Sequence, residues 1–326
     1  AGNRSAGTPG SKWHFRGKEI IRAVVSTLGT KYGLYQADTV VLTGGSAGGM
    51  ATFNNADYIR SLLPQERLNY VAYPDAGFFM DVYPNRLCDK PDVYECKCAN
   101  GKVVPLSMQM AKMVSYTGGL PDSTCAFALG QFGKWRCYLG QYVTPYLSST
   151  VLINQMQTDE WQAFWDGFTQ YKTEPEERNY TLWFRQNCVR ALKFVGYNSS
   201  FLPGVQPPAK VVEPQPELSP RVRPDGEFAY DAASRADFGL QTRQHSITAH
   251  KPTTWRDQDH AAMNNVYIFS PNCVIHTFTY TPTWWEIKVG DYSSRDALYA
   301  VVRRDSSVPA MLIDACDGIG CSQGCT

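Results

Sequence analysis

Apolar positions fall into two spacings that alternate along the chain. Ile20, Ile21, Val24, Val25 and Leu28 recur every three or four residues, which predicts a helix from Phe15-Arg16-Gly17 that buries one face and ends at Gly29 and Gly33. Thr39-Val40-Val41-Leu42-Thr43 is a short β-branched run and reads as a buried strand. Met50, Phe53, Tyr58, Ile59 and Leu62 restore the helical spacing, and Pro64 stops it. The alternation continues with strands at 69–73, 149–154, 266–269 and 310–313, and helices at about 175–194 and 294–303. Leu182, Phe184, Val189, Leu192 and Phe194 line the first of those helices. Strands alternating with helices predict an α/β fold with a mainly parallel sheet flanked by helices.

Three stretches lack either period. Residues 1–13 are rich in Gly and Ser and read as loop. Residues 81–137 hold five cysteines and several aromatics, and read as helices and loops stapled together over the sheet. Residues 203–224 contain seven prolines among polar residues, which excludes helix and central strand. The excursion to about Asp259 reads as a passive surface insertion rather than a lid. No internal repeat is visible. The expected organisation is one catalytic domain over 1–326, lacking early strands, with a Pro-rich insertion at about 203–259.

Composition narrows the class. The chain has 326 residues, 43% of them hydrophobic, enough for a large core. Net charge is +1 with no basic or acidic block, so no nucleic-acid partner is expected. No apolar run approaches the ~20 residues of a membrane span. The first residue is Ala1, which fits a processed or cut N-terminus. Ten cysteines, clustered in polar loops, favour disulfides and a secreted or luminal protein. Zinc at Cys316, Cys321 and Cys325 would need a fourth ligand, and no nearby His supplies one. Sequons at Asn3, Asn179 and Asn198 fit the same compartment. No cofactor or metal is expected, and the chain is expected to be a monomer.

The strongest chemical signal is Gly44-Gly45-Ser46-Ala47-Gly48-Gly49, set between a predicted strand and a predicted helix. Gly-x-Ser-x-Gly in that setting is a nucleophile elbow; the alternative is a structural glycine turn. Glycines allow the tight turn that lifts the serine hydroxyl clear of the sheet. The Ala47 N–H, at the helix start, faces a developing oxyanion. A serine hydroxyl is a weak nucleophile and needs a base. Of the five histidines, His14 precedes the serine, and His245, His250 and His260 lie in or beside the irregular excursion. His276 alone follows a predicted strand, with His260 the next choice. Both Asp159 and Asp75 follow strands and could orient the imidazole; spacing leaves the two open, and each could instead be a loop or cap aspartate. The order Ser, acid, His is that of α/β-hydrolases.

At these residues the sequence resembles the pectin acetylesterase family, which includes the Wnt-deacylating esterase Notum. The pieces are Phe15-Arg16-Gly17; Ser46-Ala47-Gly48-Gly49 with Asn55 and Asp57; Asp75-Ala76-Gly77-Phe78-Phe79; Asn154 to Asp159 with Trp161-Gln162; Cys273-Val274-Ile275-His276; and Ile313-Asp314-Ala315-Cys316 to Cys325. The resemblance covers most of the chain outside residues 200–255. It implies an α/β-hydrolase-like carboxylic-ester hydrolase, secreted and disulfide-bonded, with the triad on Ser46, Asp159 and His276. It thereby selects Asp159 as the acid, and it implies a Cys125–Cys137 pair.

The implied reaction proceeds through an acyl-enzyme, with acetate on pectin or a related cell-wall polysaccharide as the expected acyl ester. The alternatives are Notum-like removal of a fatty acyl group from a protein, and an inactive secreted carbohydrate-binding relative. Aromatics at 78–84 and 281–286, including Trp284 and Trp285, could line a pocket or fill the core.

Two departures stand out. Plant members resemble Cys-Ser-Ala-Gly-Gly at the elbow and His-Cys after the base, where this chain has Gly45 and Thr277. Both cysteines are absent together, as expected if they bridge in the plant proteins. Family members also carry a Gly-Gly-Gly-Trp-type loop that completes the oxyanion hole, and none lies in the 45 residues before Ser46. Losing one such donor costs about 10²–10³ in turnover, so this chain by itself is expected to be weakened or inactive.

Overall fold

The computed structural model describes residues 4–6, 13–64, 68–82, 104–165, 175–198, 221–222, 228–229, 265–280 and 282–325. The chain divides into two compact units, residues 1–199 with 264–326, and residues 200–263.

In the first unit, β1 (Arg4–Ala6) pairs antiparallel with β2 (Trp13–Phe15). Residues 4–6 were expected to be loop; the ribbon satisfies backbone groups that a Gly/Ser-rich composition does not reveal. Then come α1 (Gly17–Tyr32), β3 (Thr39–Gly45), α2 (Ala47–Ser61) and β4 (Asn69–Asp75). Next are α3 (Leu106–Thr117), α4 (Ser123–Gly133) and a single turn α5 (Gly140–Val143). They are followed by β5 (Thr150–Asn154), β6 (Thr158–Asp159), α6 (Glu160–Trp165) and α7 (Pro175–Asn198). In the second unit, β7 (Arg221–Val222) pairs antiparallel with β8 (Phe228–Ala229). The rest of the Pro-rich excursion, with His245, His250 and His260, lies outside the described residues, as does Asn3. The first unit resumes with β9 (Val266–Ser270), β10 (Val274–Ile275), α8 (Thr283–Glu286), β11 (Lys288–Val289), β12 (Tyr292–Ser293), α9 (Ser294–Arg303) and β13 (Met311–Ile313).

Five strands form one all-parallel sheet in the order β13-β9-β5-β4-β3. The two-residue period of the strands sorts the core onto its two faces. Ala72, Val151, Ile153, Val266 and Ile268 pack under Phe53 and Ala56 of α2 and Phe184, Cys188, Leu192 and Val195 of α7. Their neighbours Val71, Tyr73, Leu152 and Phe269 point the other way, onto Ala297 and Val301 of α9. Both faces are covered over β4, β5 and β9, as parallel sheets require.

Two expectations from periodicity change. The apolar residues expected on one face of α1 are mostly uncovered: of them only Val25 is fully buried, while Ile20 is 60% and Val24 50% exposed. The run at 39–43 was expected to be a buried strand, but β3 alternates exposed and half-buried residues, with Val41 37% exposed. Among the described residues β3 pairs with β4 alone and closes one side of the sheet. Its Val40 and Leu42 pack with Val25, Leu63 and Tyr70, which leaves the opposite side of the strand open.

Three disulfides join described residues: Cys125–Cys137, the pair implied by the resemblance, Cys273–Cys325 and Cys316–Cys321. The three tail cysteines considered for zinc are therefore bridged. Cys188 is a free, buried thiol. No helix among the described residues is long and apolar enough to cross a membrane.

Candidate active site

The candidate residues stand at the carboxyl ends of parallel strands, where open α/β sheets place their sites. Ser46 follows β3 directly and caps α2 with φ 57° and ψ −120°. A positive φ at a non-glycine residue is a strained conformation that neighbouring structure must enforce. The enforcement is visible: Ser46 N–H donates to the Asp75 carbonyl at 2.9 Å, and the Ser46 carbonyl accepts from Met50 N–H at 3.0 Å. A Cβ on Gly49 would lie 2.5 Å from the Asp75 carbonyl oxygen, and one on Gly77 2.3 Å from the Gly49 carbonyl carbon. The first turn of α2 therefore runs against the end of β4 at a distance only glycines permit. Ser46 is half-buried and Ala47 is exposed. Ala47 begins the helix, so its N–H has no intrahelical acceptor.

His276 is positioned by strand pairing. β10 pairs in parallel with β6, which sets Ile275 opposite Asp159. The imidazole of the next residue then meets the Asp159 side chain, Nδ1 to Oδ2 at 2.8 Å. That contact assigns the ring proton to Nδ1. Nε2 is buried and accepts no hydrogen bond among the described residues, so Ser46 and His276 are not hydrogen-bonded to each other. Free enzymes commonly hold such pairs loosely until substrate binds.

Asp159 is almost fully buried. Its Oδ1 accepts Gln162 N–H at 2.8 Å, capping α6, and its Oδ2 also receives Gln155 Nε2 at 3.4 Å. Asp75, the other candidate acid, makes no hydrogen bond to His276. Its carboxylate accepts from Asn154 Nδ2 at 2.7 Å and from the Thr279 hydroxyl at 2.5 Å. Burial pushes its carboxyl pKa up, opposed by hydrogen bonds from Thr279, Asn154 and Phe278. His14 is exposed on β2.

Sequence reading gave no role of their own to Trp161, Gln155 and Gln162. Trp161 stacks on His276 with centroids 5.9 Å apart and planes at 26°, and Phe79 approaches the same ring at 6.1 Å. Gln155 Oε1 accepts Phe78 N–H at 3.0 Å, while Gln162 bonds both backbone groups of Met80. These two glutamines fasten segment 78–80 beside the ring. Their signal was their place within the motif pieces around Asp159. Trp284 and Trp285 pack edge-to-face on each other.

The family model described as Pectinacetylesterase matches residues 1–192. Palmitoleoyl-protein carboxylesterase notum1 of Xenopus laevis is 28% identical over 191 residues, 57% of this chain and 36% of that protein. Notum1a of Danio rerio, with the same enzyme name, is 30% identical over 158 residues, 48% of this chain and 30% of that protein. Pectin acetylesterase 7 of Arabidopsis thaliana is 27% identical over 164 residues, 49% of this chain and 37% of that protein. The chain thus spans about a third of the length of these curated relatives. The structure of the Wnt deacylase Notum from Drosophila superposes with a TM-score of 0.65 at 20% identity, covering 99% of this chain and 69% of that one. At that identity the likeness concerns the α/β-hydrolase-like fold.

Proposed function

The chain belongs to the pectinacetylesterase family, and on that premise we propose that it is a serine carboxylic-ester hydrolase acting through Ser46, His276 and Asp159. The observation that carries the reading is the strained Ser46 at the β3–α2 turn, together with an imidazole whose Nδ1 is held by a buried carboxylate. In this reading His276 Nε2 takes the Ser46 proton as the hydroxyl oxygen attacks the ester carbonyl. Asp159 holds the ring orientation and stabilises the imidazolium. The Ala47 N–H donates to the tetrahedral oxyanion, and partial positive charge at the start of α2 adds to it. The imidazolium returns its proton to the leaving alcohol, leaving an acyl-Ser46 ester. Water, deprotonated by the same nitrogen, then releases the acid and restores the serine.

The acyl group expected is acetate on pectin or a related polysaccharide. The second reading is a long-chain acyl ester on a protein, favoured by similarity to proteins named palmitoleoyl-protein carboxylesterases. Three disulfides and an exposed Asn179 sequon support residence in an oxidising, secretory compartment.

A fluorophosphonate probe tests the chemistry. Labelling of the wild type and none of Ser46→Ala is the expected result. No labelling in a form that also carries the upstream Gly-Gly-Gly-Trp-type loop favours a binding protein that keeps the fold without the reaction. Acetyl release from acetylated pectin, set against cleavage of a long-chain acyl ester, then separates the two substrate readings.

A further inference from the structure

The segment carrying His276 is tied to the nucleophile turn at two points, neither of them in the proposed triad. Three residues after the histidine, the Thr279 hydroxyl donates to Asp75 Oδ2 at 2.5 Å, and the Thr279 N–H reaches the same oxygen at 3.3 Å. One residue further, the Tyr280 hydroxyl accepts the Gly45 N–H at 2.8 Å. Gly45 immediately precedes Ser46 and lies opposite Asp75 in the β3–β4 register. Asp75 itself accepts the Ser46 N–H through its carbonyl. One residue therefore holds the serine backbone with its main chain and the histidine segment with its side chain.

The chemistry of each group suits this task. Asp75 is wholly buried, an unfavourable place for a carboxylate unless every lone pair is used. An ionised carboxylate is acceptor-only and can receive a hydroxyl, an amide N–H and an Asn amide at once; an asparagine cannot. Its partner Asn154 is anchored in turn, its Oδ1 accepting from Ser294 Oγ at 3.0 Å, next to the Tyr73 hydroxyl at 2.5 Å. The second tie needs glycine, because a Cβ at residue 45 would lie 2.6 Å from the Tyr280 hydroxyl.

We propose that Asp75, Thr279 and Tyr280 are positioning residues for ester hydrolysis, fixing how far His276 stands from Ser46. The inference rests on the triad reading above. No hydrogen bond joins Ser46 to His276 in the free protein, and these ties connect the segments that carry the two residues. A misplacement of about 1 Å costs on the order of 10²-fold in rate.

The test is steady-state hydrolysis of p-nitrophenyl acetate, with fluorophosphonate labelling and thermal midpoints recorded on the same proteins. Thr279→Val is expected to lower kcat about 10- to 100-fold with KM unchanged. Thr279→Ser, which keeps the hydroxyl, is expected to recover most of that loss. Tyr280→Phe removes the acceptor for Gly45 and is expected to lower kcat about tenfold. Asp75→Asn shifts kcat the same way, and should it fail to fold, the Thr279 pair carries the test alone. Thr279→Val turning over at the wild-type rate overturns the inference, as does a loss that Thr279→Ser fails to recover. When wild-type turnover is abolished by Ser46→Ala and Thr279→Val is indifferent, the positioning role falls and the triad stands. A wild type that carries the upstream Gly-Gly-Gly-Trp-type loop and neither hydrolyses the ester nor labels at Ser46 overturns both.

Discussion

Asp159 divides its two oxygens between a helix and a ring. Oδ1 accepts Gln162 N–H at 2.8 Å, and Oδ2 faces His276 Nδ1 at 2.8 Å. Asp159→Asn keeps the size but can present an amide N–H toward Nδ1, which favours the wrong tautomer. In the proposed mechanism kcat then falls by about 10⁴ while circular dichroism is unchanged, and a loss under tenfold would remove Asp159 from the triad. At this scale the sequence offered Ser46, His276 and two acids, because each follows a strand. It did not distinguish Asp75 from Asp159 by spacing. The two differ in which donors surround them, Thr279 and Asn154 for one and His276 and Gln162 for the other, and these come from distant positions.

Among the elements, α9 has the clearest local code. Ser293 Oγ accepts Asp296 N–H, and the Asp296 carboxylate accepts Ser293 N–H at 2.9 Å, a reciprocal capping box. Ser293→Ala is expected to cost about 1 kcal/mol in chemical denaturation. Burial acts to raise the Asp296 pKa, but the Ser293 hydrogen bonds with the Arg295 and Lys288 charges outweigh it and hold it below the usual carboxylate value. A carboxyl pKa depressed by folding stabilises above its unfolded value and loses that contribution as pH falls through the folded one. Asp296→Asn should therefore narrow its stability gap to wild type as the solution is acidified below about pH 4. An acid-independent gap would show that the charge plays no part. Periodicity located α9 within a residue, since apolar spacing and cap coincide. It misjudged α1 and β3, whose apolar residues describe what a face could bury and not what is there to cover it.

At the scale of the molecule, the tail closes back on the site-bearing segment. Cys325 is bonded to Cys273, three residues before His276, and Ser322 Oγ receives Asn272 N–H at 2.7 Å. Closing a 52-residue separation restricts the unfolded chain by about 4 kcal/mol in the chain-entropy account. Cys273→Ser with Cys325→Ser should lower the thermal midpoint by several degrees, and an unchanged midpoint would mean the bond is not formed in solution. The sequence by itself determined the alternation of strands and helices, the elbow and the order of its chemical groups, because these depend on residues adjacent along the chain. Spacing left the carboxylate open and the family resemblance selected Asp159, but only the tertiary structure decided the strand order, the Trp161 ring against the imidazole, and the Asp75–Thr279 and Gly45–Tyr280 ties. Those contacts join residues as far as 235 positions apart, and they exist only once sheet register has fixed which strand ends meet.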